Sequence, residues 1–196
     1  TYRKQYFRAL AQYIEVRFDM SASDAAALTA AIKEALGTDV TMHAAEAYAE
    51  KLRAFLPRHQ AENGFQIITG DAARAAAEYA AKTAYKETDN ATYQAMEALV
   101  HNLNTMNSRA GAQVPFSSLN YGTDTSPEGR MAVHNLLRAT EAGLGDGETP
   151  IFPVQIFKVK EGVNYNEGDP NYDLFRHALR CSAKRLFPNF SFLDAP

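Results

Sequence analysis

Alanine and the turn-forming residues occupy opposite halves of this chain of 196 residues. Of its 34 alanines, 26 fall within residues 1–98, whereas eight of 11 glycines and seven of eight prolines lie from residue 111 onward. Alanine is the strongest helix former, and glycine and proline punctuate turns and strand ends. The first half is therefore predicted to be almost wholly helical, and the second to alternate strands, loops and helices. Tyr6, Leu10, Tyr13 and Ile14 recur at helical spacing over 2–18. Ser21, with Asp24 three residues on, predicts the cap of a second helix that Gly37 ends. A third helix is expected over 41–56, closed by Pro57, a turn or minor strand at 65–68, and helices over 71–86 and 91–107. The last carries an apolar stripe of Tyr93, Met96, Leu99, Leu103 and Met106, read as core packing.

Beyond Gly111 the pattern changes. A strand is expected over 112–121, with Pro115 placing it at an edge or bulge. Ser126, Pro127 and Glu128 form a strong helix start for a helix reaching Ala142. A strand over 150–160, a polar loop over 162–171, a helix over 171–186 and a strand over 190–193 complete the series. Strand and helix in alternation imply an α/β sheet or barrel with parallel pairs. Residues 1–110 are thus read as a helical segment and 111–196 as part of an α/β unit. The chain reads as cut at both ends, since helical pattern begins at once and the last strand runs straight into a loop.

Composition narrows the function classes. With 20 basic against 23 acidic residues the net charge is −3, which disfavours a protein held to nucleic acid by charge. No apolar run is long enough to span a bilayer and no secretory leader pattern is visible. A single cysteine makes neither an internal disulfide nor a cysteine-rich metal site and fits a cytoplasmic setting.

No catalytic set emerges from spacing alone. His43, His59, His101, His134 and His177 are scattered, and Cys181 on an apolar helix face reads as a small buried hydrophobe unless the nearby Arg180, Lys184 and Arg185 activate it. The loop 122–125 feeding a capped helix is a possible phosphate site, although capped helix starts usually hold no ligand. Ser117 and Ser118 point to opposite faces of their strand, and Lys158 and Lys160 share one face of theirs, either as an anion site or as a solvated strand end.

Two runs carry a resemblance. Residues 102–130, NLNTMNSRAGAQVPFSSLNYGTDTSPEGR, and 143–196, GLGDGETPIFPVQIFKVKEGVNYNEGDPNYDLFRHALRCSAKRLFPNFSFLDAP, strongly resemble the large subunit of anaerobic (class III) ribonucleoside-triphosphate reductases. The resemblance is close over 99–196, and the Ala-rich helices match that family only in character. It implies part of a ten-stranded α/β barrel of the glycyl-radical-enzyme kind. It implies an oxidoreductase that replaces the ribose 2′-hydroxyl of a ribonucleoside triphosphate with hydrogen. In that family a glycyl radical near the carboxyl end generates a thiyl radical on a cysteine, and a radical-SAM activating enzyme installs the glycyl radical. Zinc near the carboxyl end, ATP or deoxynucleotide (dNTP) effectors and a homodimer are further implications.

Residue by residue, the resemblance nominates Ser117, Ser118 and Asn120, on what resembles the first barrel strand, for substrate binding. It nominates Arg130, Gln155, Lys158 and Lys160 for effector contacts. Cys181 does not match the thiyl cysteine, so no catalytic residue and no metal ligand is assigned within these residues, and the chain alone is expected to be inactive. Where some members have a second cysteine beside the first strand, this chain has Leu119 and Asn120, which argues against a formate scheme that needs it. Alternatives are a non-catalytic nucleotide-binding or dimerisation module of the same descent, and a helical interaction domain built on 1–98. An isolated part-barrel exposes sheet edges and is expected to oligomerise.

Overall fold

The computed structural model describes residues 1–63, 68–106 and 113–195, and these divide into two compact units, Thr1–Thr88 and Asp89–Pro196. The first unit is helical. It comprises α1 (Tyr2–Arg17), α2 (Ala22–Leu36), α3 (Ala45–Asn63) and the first half of α4 (Gly70–Thr105). Tyr6, Leu10 and Ile14 of α1 meet Leu28 and Ile32 of α2, Leu52 and Leu56 of α3, and the alanines of α4 in one core. Ala73, Ala76, Ala77, Ala80 and Ala84 are all buried, and their small side chains let helices approach closely. The Tyr6 ring packs edge-on to Tyr48 at 5.6 Å. Ser21 caps α2 as its sequence position predicts, accepting from Asp24 N at 3.1 Å. Gly37 ends the helix at φ +76°, where a Cβ is disfavoured.

Two helical expectations are corrected. Pro57 does not close the third helix; α3 runs on to Asn63 with the proline inside it. The helices expected over 71–86 and 91–107 are one 36-residue helix, α4. Of residues 87–90, Glu-Thr-Asp-Asn, the last three are indifferent helix formers but none is glycine or proline, so propensity alone does not break the helix there. The expected turn at 65–68 lies outside the described residues apart from Ile68. Of the methionine stripe, Met96 packs beside Val100, Leu136 and Ala139, but Met106 is largely exposed, because the chain leaves the helix at that point.

The second unit is α/β, as expected. After α4 come β1 (Ser118–Tyr121), α5 (Pro127–Ala142), β2 (Val154–Val159), α6 (Tyr172–Arg185) and β3 (Asn189–Phe192). The strands lie in the order β1-β2-β3 and both pairings are parallel, so β1-α5-β2 and β2-α6-β3 are two βαβ units. β1 is shorter than the expected 112–121, and Pro115 precedes it rather than lying within it. Along β2, Gln155, Phe157 and Val159 are buried and alternate with half-buried Val154, Ile156 and Lys158. Phe157 and Val159 pack with Val133 and Leu137 of α5 and Leu174, Ala178 and Cys181 of α6. The two helices thus cover the same sheet face and leave the other open.

Candidate functional site

Strand register determines what shares the open face. Ser118 lies opposite Val154, Asn120 opposite Ile156, Ile156 opposite Asn189, and Lys158 opposite Ser191. Paired residues of parallel strands project to the same side. Ser118, Asn120, Asn189 and Ser191 therefore present hydroxyls and amides around an Ile156 floor, with the Lys158 ammonium at the carboxyl end of the row. Ser117 is separated from them: its hydroxyl turns to the Pro115 carbonyl at 3.4 Å, and its own carbonyl accepts from Val154 N at 2.9 Å.

The structure does not bring Arg130, Gln155, Lys158 and Lys160 together. Gln155 points the opposite way from Lys158, into the helix layer, where it is 1% exposed. Its amide donates to Thr140 Oγ1 at 2.7 Å, and its carbonyl accepts from the Tyr121 hydroxyl at 2.6 Å, which leaves it no polar edge for a ligand. Burial drives the Tyr121 pKa upward and keeps that phenol a donor. Arg130 is also engaged. It donates to Asn171 Oδ1 and Asp173 Oδ2, each at 2.7 Å, and to the Pro170 carbonyl. Lys160 stands exposed just beyond β2.

At the carboxyl ends of the strands a side-chain network sets the loop geometry. Asn164 donates to the carbonyls of Gly122 and Lys158, both at 2.9 Å, and accepts from Lys160 N at 2.8 Å. Asn171 donates to the same Gly122 carbonyl at 3.1 Å and to Asp124 O at 2.8 Å. Gly122 is required here: at φ +121° an added Cβ would lie 2.8 Å from the Lys158 carbonyl. Sequence reasoning missed both asparagines. The signal present was three Asn residues inside the polar loop 162–171, a residue type whose side chain commonly bonds to backbone.

The start of α5 is self-capped. Ser126 Oγ accepts from Gly129 N at 3.1 Å, and Asp124 Oδ1 accepts from Ser126 N at 2.8 Å. Hydrogen bonds from the backbone and side chain of Ser126 hold the Asp124 carboxyl below its ordinary pKa. A carboxylate therefore already occupies the positive helix end, which weighs against a phosphate there. A cavity of about 240 Å3 lies at the strand carboxyl ends, lined by Val159, Glu161, Tyr165, Phe192, Asp194 and Ala195. Ligands of open α/β sheets bind at such ends.

The thiol of Cys181 is buried, and its Sγ lies 3.8 Å from the Leu137 carbonyl. Burial first, then the Glu141 charge, pushes its pKa up to about 11, so it is a packing residue and not a thiolate. His134 and His177 approach within 5.2 Å, and His177 Nε2 lies 3.2 Å from Glu141 Oε2. Among the described residues no group of three or more His, Cys, Asp or Glu side chains is placed to hold a metal, and zinc has no fit here. Among the same residues no helix is long and apolar enough to cross a membrane.

Parallel βαβ units with one covered and one open sheet face, and a small hollow at the strand carboxyl ends, define an α/β protein whose polar open face is suited to meeting a ligand or further chain. The model of the anaerobic ribonucleoside-triphosphate reductase family matches residues 39–195, and the chain belongs to that family. It is 39% identical to the anaerobic ribonucleoside-triphosphate reductase of Escherichia coli (strain K12) over 98 residues, 50% of this chain and 14% of that protein. It is 41% identical to the enzyme of the same name from Enterobacteria phage T4 over 107 residues, 54% of this chain and 18% of that protein. The Salmonella typhimurium enzyme is 37% identical over 107 residues. The matched stretch thus spans less than a fifth of these relatives.

Proposed function

We propose that this chain is part of an enzyme that reduces ribonucleoside triphosphates to deoxyribonucleoside triphosphates. In this reading the three strands belong to a larger α/β barrel of ten strands whose interior is the open sheet face. Family membership over residues 39–195 is the observation that carries it. The placement of Ser118, Asn120 and Lys158 on one open face supports it, since hydroxyl, amide and ammonium groups suit a ribose and its phosphates. The chain's single cysteine packs inside the helix layer on the covered side of the sheet, away from the open face, so in this reading the radical-bearing cysteine, the glycyl radical and any zinc belong to other parts of the protein. The activating enzyme, the homodimer, the cytoplasmic setting and the ATP or deoxynucleotide effectors are proposals for the whole protein. Of the four residues nominated for the effector, exposed Lys160 and half-buried Lys158 remain available to a phosphate, while Arg130 and Gln155 serve structure.

The test is deoxynucleotide formation by the full-length protein with its activating enzyme and S-adenosylmethionine under anaerobic conditions. Lys158→Ala is expected to raise KM for the ribonucleotide about tenfold with a smaller effect on kcat, the loss of one charge-assisted contact. An unchanged KM in Lys158→Ala and Asn120→Ala would remove the open face from the substrate site. Nucleoside triphosphate binding without any deoxynucleotide product would instead favour the non-catalytic nucleotide-binding module.

A further inference from the structure

A second concavity lies in the helical unit, within residues 3–38 and so upstream of the family match. Arg3, Lys4 and Arg8 of α1 and Lys33 of α2 line a groove of about 500 Å3. Lys4 and Arg8 stand one turn apart on α1, and Arg3 at its start lines the same groove. Among the described residues none of the four has a carboxylate within ion-pair distance. The contrast within the same unit is plain: Arg74 alone engages Glu46, Glu50 and Glu78. Four cations gathered without a counter-charge, in a chain of net charge −3, repel one another until an anion joins them.

Two of the cations are held in place. Arg3 donates to Thr38 Oγ1 at 3.3 Å, and the Lys33 ammonium lies 4.9 Å over the centre of the Phe7 ring. Ala11 and Ala26 also line the groove, and their small side chains leave it open. Its volume falls in the range of small-molecule sites. The one large apolar side chain, Phe7, is buried and capped by Lys33, so an acidic peptide finds no pocket for its side chains. Arginine forks and lysine ammoniums match phosphate oxygens.

We propose that the α1–α2 groove binds an oligophosphate anion, with Arg3, Arg8 and Lys33 clamping the phosphates. The groove belongs to the helical unit and does not depend on the reading of the open sheet face.

The experiment is calorimetric titration of the 196-residue chain at low salt with inorganic tripolyphosphate, ATP, adenosine and hexaglutamate. Tripolyphosphate and ATP are expected to bind and adenosine is not. Equal affinity for the first two identifies the phosphate chain as the whole ligand, and tighter ATP binding identifies a nucleotide as its source. Arg8→Gln and Lys33→Gln should each weaken binding about tenfold, while Arg17→Gln, an exposed arginine of α1 outside the groove, should leave it unchanged. Circular dichroism of each variant establishes that the helices remain. Absence of tripolyphosphate binding at millimolar concentration would overturn the proposal. So would equal loss in Arg17→Gln, adenosine binding as well as ATP, or hexaglutamate binding more tightly than tripolyphosphate, which would point to a protein partner.

Discussion

Asn164 is fully buried and makes three hydrogen bonds with backbone groups of Gly122, Lys158 and Lys160. Removing the side chain from so enclosed a place orphans those backbone groups, and each orphaned group costs free energy. Asn164→Ala is therefore expected to destabilise the α/β unit by about 3 kcal/mol. Asn164→Asp should cost at least as much, because a carboxylate cannot donate to the two carbonyls. Guanidinium unfolding followed by circular dichroism measures both, and an aspartate variant as stable as the parent would contradict the donor assignment.

Two titrating residues of the α5–α6 layer give a pH dependence of one sign. Burial pushes the Glu141 pKa up, but the His177 hydrogen bond and the charges of Arg180, His177 and Lys184 outweigh it and leave the carboxyl below its ordinary 4.5. Burial first, then His177 and Arg138, lowers the His134 pKa below 6.5 against the opposing pull of Asp89 and Asp173. In both cases the folded protein binds the proton more weakly than the unfolded chain, so stability falls as pH falls. The His134 share begins to be lost below its ordinary 6.5, and the Glu141 share below 4.5 and on through its depressed pKa. Thermal midpoints recorded across this range should decline toward acid. His134→Gln should flatten the upper part of the decline and leave the lower part.

At the scale of elements, Pro57 tests how far local rules reach. A proline inside a helix removes one backbone donor and crowds the preceding turn, at about 3 kcal/mol in an unstrained host. α3 nevertheless continues through it, with Leu52 and Leu56 on one side and the buried Gln60 on the other; Gln60 Oε1 accepts from Ile68 N at 2.6 Å. Tertiary packing therefore outweighs the proline. Pro57→Ala is expected to stabilise the helical unit by about 1 kcal/mol or more, read as a higher unfolding midpoint; a lower midpoint would mean that the ring itself packs usefully.

The same competition explains what could be read from the chain. Helix starts were legible where one side chain decides them, as at Ser21 and Ser126. The βαβ order was legible from the alternation of apolar runs and helix signals. The break expected between 86 and 91 was not there: no residue at 87–90 stops a helix, and Asp89 is used by Asn135 and Arg138 of α5, contacts more than 40 residues away in sequence. In the candidate site, Ser118 and Asn120 share a face by simple alternation, but their neighbourhood with Lys158 depends on interstrand register. Gln155 reads as polar and exposed by type; only the distant Thr140 and Tyr121 make its burial tolerable.

For the whole molecule, the decisive property is that the three-stranded sheet is covered on one face only. Among the described residues β1 and β3 are its outer strands. Large apolar side chains stand in solvent: Phe116 is 84% exposed and Ile151 65%, and Phe192, paired with Val159 on the helix side of outer strand β3, is 53% exposed. Phe116 sits 5.3 Å from the half-buried Phe152, so the two rings form one apolar patch, and exposed Ile151 is the neighbour of Phe152 in sequence. An uncovered sheet edge and a contiguous apolar patch both favour pairing with another chain. The 196-residue chain is therefore expected to self-associate, with a sedimentation coefficient that rises with protein concentration. Phe116→Glu combined with Ile151→Lys should shift it toward monomer without moving the helical signal, because neither side chain belongs to a buried cluster. If the double variant still associates, pairing runs through the outer strands, and a charge placed on β3 at Phe192→Lys should then reduce it. A parent chain that sediments as a monomer at every concentration would mean that neither the edge nor the patch is adhesive, and would remove the physical reason for expecting further chain to cover this face.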